Sequence, residues 1–103
     1  MKWEDAIALS SEGKIESMCR VVGEWGVFIG GQCIGIKVVE AGDGRLGHRT
    51  SHFYQPAGAA YPYVSPNEWF STMEDALIDA TKQLAEPYDP ENPGTWPVNC
   101  GYS

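Results

Sequence analysis

The spacing of apolar and polar positions changes along the chain, and each change marks an element. Trp3, Ala6, Ile7 and Ser10 fall on one face at three- and four-residue spacing, with Glu4 and Asp5 in the first turn and Gly13 just beyond. That pattern predicts a short opening helix. From Lys14 the period drops to two: Ile15, Ser17, Cys19 and Val21 alternate with Glu16, Met18 and Arg20, as on a half-buried strand. Gly23-Glu24 is expected to break it. Residues 25–29 then predict a second strand, Gly30-Gly31 a hairpin turn, and residues 33–40, rich in Ile and Val, a third strand. Asp43-Gly44 is another turn pair, and residues 45–54 predict a fourth strand.

A loop containing Pro and Gly follows over residues 55–70. The helical period returns with Ser71 as expected N-cap and Glu74 in capping-box position. Met73, Ala76, Leu77, Ala80 and Leu84 make one apolar stripe, closed by Pro87. The expected fold is therefore α+β in αβββ(β)α order: an antiparallel sheet of three or four strands with two helices packed on one face. The stripe is expected on Val27, Ile29, Ile34, Ile36 and Val38, with Trp3 and Ile7 completing one side. Residues 1–86 read as one domain. Residues 87–103 form a Pro-rich tail that Tyr88, Trp96, Val98 and Tyr102 are expected to hold against it.

Size and composition refine this outline. A chain of 103 residues holds a single core without needing a metal or disulfides. Twelve glycines and seven prolines argue for many turns and one long irregular segment. Cys19, Cys33 and Cys100 are odd in number and widely spaced; the first two, in strand-like runs, are expected as buried, reduced thiols. The opening residues do not resemble a signal peptide and no run reaches the length of a membrane span, so a cytoplasmic, membrane-free location is expected.

Charge is the most informative feature. Residues 66–103 hold seven acids, Glu68, Glu74, Asp75, Asp79, Glu86, Asp89 and Glu91, against one base, Lys82, whereas everything before them is nearly neutral. Such an end repels nucleic acid and membranes and attracts basic surfaces. It reads as a solubilising face, as a docking surface for a basic partner, or as a set of carboxylates imitating phosphates. Tyr61-Pro62-Tyr63, in mid-loop, supplies aromatic anchors of the kind used at interfaces, while Phe53, Trp69 and Phe70 are expected to plug the core. The candidate partner-binding set is thus the seven acids with Tyr61 and Tyr63.

Other chemistry has less support. Residues 42–47 match G-x-G-x-x-G, but the residues that follow favour a strand, and the motif works only where a helix begins within it. A glycine-rich hairpin is expected instead, and no cofactor. His48 and His52, four apart on a strand, share a face but stand too far apart to hold one ion together, and no close ligand pair supports them, so no metal is expected. Arg45, His48, Arg49 and His52 remain the centre of an alternative, a small cytosolic enzyme or accessory domain. No nucleophile lies in a recognisable elbow.

Three resemblances add to this. The helix, three strands, helix order is similar to the double-stranded-RNA-binding domain, a family that grips phosphate with lysines at the start of its second helix. Met73, Glu74 and Asp75 stand at those positions here, so the resemblance implies no RNA binding. The stretch Ser71-Thr72-Met73-Glu74-Asp75-Ala76-Leu77-Ile78-Asp79-Ala80 resembles a helix of small phage proteins and HicB-type antitoxins. Size, acidity and outline together resemble phage-encoded inhibitors of bacterial defence, including anti-CRISPR proteins. That resemblance implies a non-enzymatic inhibitor in the host cytoplasm, directed at a basic protein surface such as a CRISPR effector complex rather than at nucleic acid itself.

Overall fold

Two glycines set the first hairpin. In the computed structural model, which describes residues 18–102, Gly30 and Gly31 carry φ of 58° and 80°, the backbone of a two-residue turn whose twist matches its strands. They join β1 (Cys19–Ile29) to β2 (Gln32–Ala41), paired antiparallel from Ile29↔Gln32 to Cys19↔Ala41. A second turn, with Gly44 at φ 88°, leads into β3 (Leu46–Thr50), which pairs antiparallel with β2. The sheet order is β1-β2-β3. The glycine-rich stretch 42–47 is thus a hairpin with no helix beginning in it.

Of the four expected strands, the first two are one. Gly23 does not end the strand; register moves from Val21↔Val39 to Gly23↔Val38, leaving Val22 as the extra residue of a bulge. The bulge changes the phase of the alternation. Val21 faces away from the core and is half exposed, while Trp25 and Val27, opposite Ile36 and Ile34, face it. Gly23 is required for a different reason: a Cβ there would lie 2.3 Å from the Trp25 ring, which covers it. The last expected strand ends early, at Thr50. The expected opening helix, with Trp3 and Ile7, lies outside the described residues.

The one described helix, α1 (Met73–Ala85), packs on one face of the sheet. Its N-cap is Thr72 rather than Ser71: the Thr72 hydroxyl accepts from Asp75 N–H at 3.1 Å. The third helical residue is therefore Asp75, and Glu74 is one place too early to close a capping box. Ala80 and Leu84 are fully buried against Ile34 and Ile36, with Trp25, Val27, Ile29 and Leu77 around them. Each fully buried Leu or Ile contributes about 1.5–3 kcal/mol.

Trp96 reaches the same core from the tail. It meets Tyr54 and Tyr88 in an aromatic cluster with ring centres 4.7 and 6.0 Å away. Hydrogen bonds then tie the tail along residues 51–55: Gln55 and Thr95 exchange two at 2.9 Å, Phe53 N–H donates to Pro97, and Asn99 N–H donates to Ser51. Gly94 allows this approach, because a Cβ would lie 1.8 Å from the Gln55 carbonyl oxygen. Tyr102 settles over Gly35 on the far face of the sheet, with the Lys37 ammonium 4.3 Å from its ring centre.

Candidate functional site

Ion pairs take up three of the described cations, while Arg49 of β3 and Lys82 of α1 are in none. Within the sheet Arg20 pairs with Glu40 at 2.7 Å and Lys37 with Glu24 at 3.8 Å, and in the β2–β3 turn Arg45 pairs with Asp43 at 2.5 Å. The bond from Arg45 N–H is the chief reason that the Asp43 carboxyl is held below its usual range. Glu68, Glu74, Asp75, Glu86, Asp89 and Glu91 are all exposed, and none is in an ion pair with another described residue. Along α1, Glu74, Ile78, Lys82 and Glu86 recur every fourth residue and form one outward row. Ile78, at its middle, is 51 % exposed. Ile78 thus lies between Glu74 and Lys82 in this row, with Glu86 beyond Lys82 at the helix end. The Asp89 carboxylate accepts from Glu91 N–H at 2.9 Å and fixes the turn that carries the last two acids.

Asp79 does not belong with them. It was expected on the outer surface of the helix, but its carboxylate turns to β3 and accepts from His48 Nε2 at 2.8 Å. The His48 side chain is only 8 % exposed, and its ring stacks on Phe70. Burial alone would raise the Asp79 pKa. Hydrogen bonds from His48, Ser65 and Asn67, with the His48 charge, outweigh it and hold the carboxyl below its ordinary value. Asp79 is therefore a structural contact between α1 and β3.

A cleft of about 340 Å³ opens beside this pair, between β3, residues 64–69, α1 and Asn99. Gln83 closes its inner wall, accepting from Ser65 N–H at 2.9 Å, and Asn99 donates to the Thr50 carbonyl. The Thr50 hydroxyl is buried with no hydrogen-bond partner among the described residues. Arg49, Glu68 and Trp69 also line it.

The four residues of the enzyme alternative are not gathered in one place. His48 and Arg49 line the cleft. Arg45 instead lies 4.2 Å from the centre of the Trp69 ring, and His52 shares a hydrogen bond with Ser51 Oγ at 2.8 Å. No group of three or more metal-binding side chains occurs among the described residues. No helix among them is long and apolar enough to cross a membrane.

Tyr61 is 81 % exposed and Tyr63 is also exposed; the latter is tied by its N–H to the Tyr54 carbonyl. Val64 and Trp69 are exposed too. Trp69 therefore does not plug the core, and Phe53 and Phe70 are only half buried. Tyr54 takes the buried position, its hydroxyl accepting from Gly94 N–H at 2.8 Å. Cys19 and Cys33 are exposed rather than buried, because both lie on the sheet away from the α1 face.

Thr50, Gln83 and Asn99 were not foreseen as site residues. Part of the signal was present: Thr50 alternates with His48 on one strand face, and Gln83 lies seven residues beyond Ala76, on the buried side of the helix. No family model matches the chain, and neither a curated protein nor a solved structure matches it.

Proposed function

We propose that this chain is a non-enzymatic protein-binding inhibitor that lays its acidic helix and tail on a basic surface where the partner holds nucleic acid. Its most concrete form is a phage-type anti-CRISPR or anti-defence protein acting in the host cytoplasm. The supporting observation is the separation of charge. Arg20, Lys37 and Arg45 are each paired within the chain and only Arg49 and Lys82 are not, whereas six exposed carboxylates of the C-terminal third have no described ionic partner. Unpaired exposed charge of one sign steers association with the opposite sign. Ile78 supplies exposed apolar area on the helix itself, and Tyr61 and Tyr63 are exposed aromatic side chains available for contact.

The test is capture from bacterial lysate on the immobilised protein at low salt, followed by nucleic-acid binding assays on the recovered partner. A partner released by raised salt, and prevented from binding its nucleic acid by added protein, is the expected result. The chain itself is expected to shift neither duplex DNA nor duplex RNA in a gel at physiological salt, because a formal net charge of -7 offers no gain from counterion release. A partner that binds nucleic acid equally well with and without the protein would contradict the proposal.

A further inference from the structure

The two edges of the sheet are treated differently. At the β3 edge, Leu46 exchanges two hydrogen bonds with Phe70, at 3.3 and 2.7 Å, and the Thr50 carbonyl accepts from the Asn99 amide. At the β1 edge, no described residue outside β2 hydrogen-bonds to the backbone. Both residues of the turn after Ile29 have positive φ, so the closing pair Ile29↔Gln32 is of the hydrogen-bonded kind. Val27, Trp25 and Gly23 then bond to β2 in alternation, and Phe28, Gly26 and Glu24 turn their N–H and C=O groups outward. The bulge at Val22 ends this run. Residues 23–29 contain no Pro or Lys and a single charge, Glu24, so the devices that commonly protect an edge are nearly absent. Apolar area is left open along the same strand. α1 lies more over β3 and β2 than over β1, and Trp25, Val27 and Ile29 are only partly buried. Phe28, on the other face, is 76 % exposed.

We propose that residues 23–29 pair antiparallel with the same residues of a second copy of this chain, about a two-fold axis at Gly26, so that one sheet runs through both copies. The segment is complementary to itself in this register. Centred on Gly26, all of residues 23–29 are paired, whereas centring on Trp25 or Val27 pairs only 23–27 or 25–29, and centring on Glu24 sets like charges opposite. The outward groups of Glu24, Gly26 and Phe28 then make about six hydrogen bonds between the copies. On the core face Trp25 meets Val27 of the second copy, an aromatic and β-branched pair. Ile29 of the second copy comes opposite Gly23, beside the Trp25 ring that covers it. On the other face Glu24 lies opposite Phe28, and no like charges meet. A two-fold contact of this kind closes at the dimer.

Sedimentation velocity of the full chain between about 1 μM and 1 mM, in reductant because Cys19, Cys33 and Cys100 are exposed, tests the pairing. A shift with concentration from the 11.3 kDa monomer to a closed dimer is expected. Gly26 supplies the specific test. Its φ is not positive and a Cβ there meets nothing within 4 Å, so the monomer accommodates a side chain. In the dimer that side chain stands opposite its own copy, with Cα atoms about 5.5 Å apart. Gly26→Lys and Gly26→Asp should each keep the native circular dichroism, and each should weaken the dimer roughly fivefold or more through like-charge repulsion. Their equimolar mixture should restore a one-to-one dimer. In the unsubstituted chain, amide hydrogen exchange at Glu24, Gly26 and Phe28 should slow as concentration rises. A parent chain that stays monomeric throughout that range, assembly that continues past the dimer, exchange at these three amides independent of concentration, or a mixture of the two variants no more dimeric than either alone would overturn the pairing.

Discussion

His48 Nε2 donates to Asp79 Oδ2 at 2.8 Å, joining the middle of β3 to the helix that covers the sheet. Because the Asp79 carboxyl is held below its ordinary pKa of 3.8, its ionised form stabilises the fold. Asp79→Asn should therefore cost roughly 1.5–3 kcal/mol at neutral pH, the range for a hydrogen bond to a charged group. The pH dependence follows from the direction of the shift. The contribution is fully present above the unfolded value of 3.8 and is lost as pH falls through the lower native value. Urea unfolding of both proteins across this range checks it. An equal midpoint at neutral pH, or a difference undiminished at roughly pH 2, would refute the assignment.

Leu84 and Leu77 lie on the same stripe but differ in burial: Leu84 is fully buried among Ile34, Ile36 and Ala80, and Leu77 is only partly so. Leu84→Ala should lose about 2–5 kcal/mol, and Leu77→Ala clearly less. Chemical denaturation of the two variants measures both. Equal losses would mean that α1 is rotated about its axis from the position described.

The tail is held most tightly where its backbone crosses Gln55. A Cβ at Gly94 would meet that backbone at 1.8 Å, whereas a Cβ at Gly35 would meet the Tyr102 hydroxyl, the far end of a side chain that can turn aside. Gly94→Ala should cost about 1–3 kcal/mol as an overpacking substitution, with faster proteolysis within the tail, and Gly35→Ala should cost less. Limited proteolysis with a thermal melt ranks the two. The reverse order would place the tail's anchor at Tyr102.

The sheet core and α1 were legible in the sequence because one period ran long enough to identify each. Ile34, Ile36 and Val38 alternate without interruption, and the stripe from Ala76 to Leu84 keeps its spacing through two turns. The bulge at Val22 was not legible, since a glycine followed by a charge reads as a break whether or not an indole ring lies over it. Asp79 looked like a surface acid because its partner His48 is 31 residues away. Phe53 and Tyr54 exchanged roles because β3 ends at Thr50, after which the two-residue alternation no longer decides which side chain points inward. The cleft is assembled from β3, a loop, α1 and the tail, and no local pattern joins those segments.

The acidic face is tested most directly by reversing Glu74, Glu86 and Glu91 to Lys together. All three are exposed, and none has a described ion pair or side-chain hydrogen bond to lose. Asp79 and Asp89 are left intact because they hold structure. Glu74 also complements the helix N-terminus, so a loss of roughly 0.3–1 kcal/mol in stability is expected from that site alone. The decisive measurement is the association rate with the captured partner as a function of salt, for the parent chain and the triple variant. The parent rate should fall as salt rises, since steering is screened over about 8 Å at physiological ionic strength, and the folded variant should associate far more slowly at low salt. A folded triple variant with the parent's association rate and salt dependence would contradict the docking role of this face.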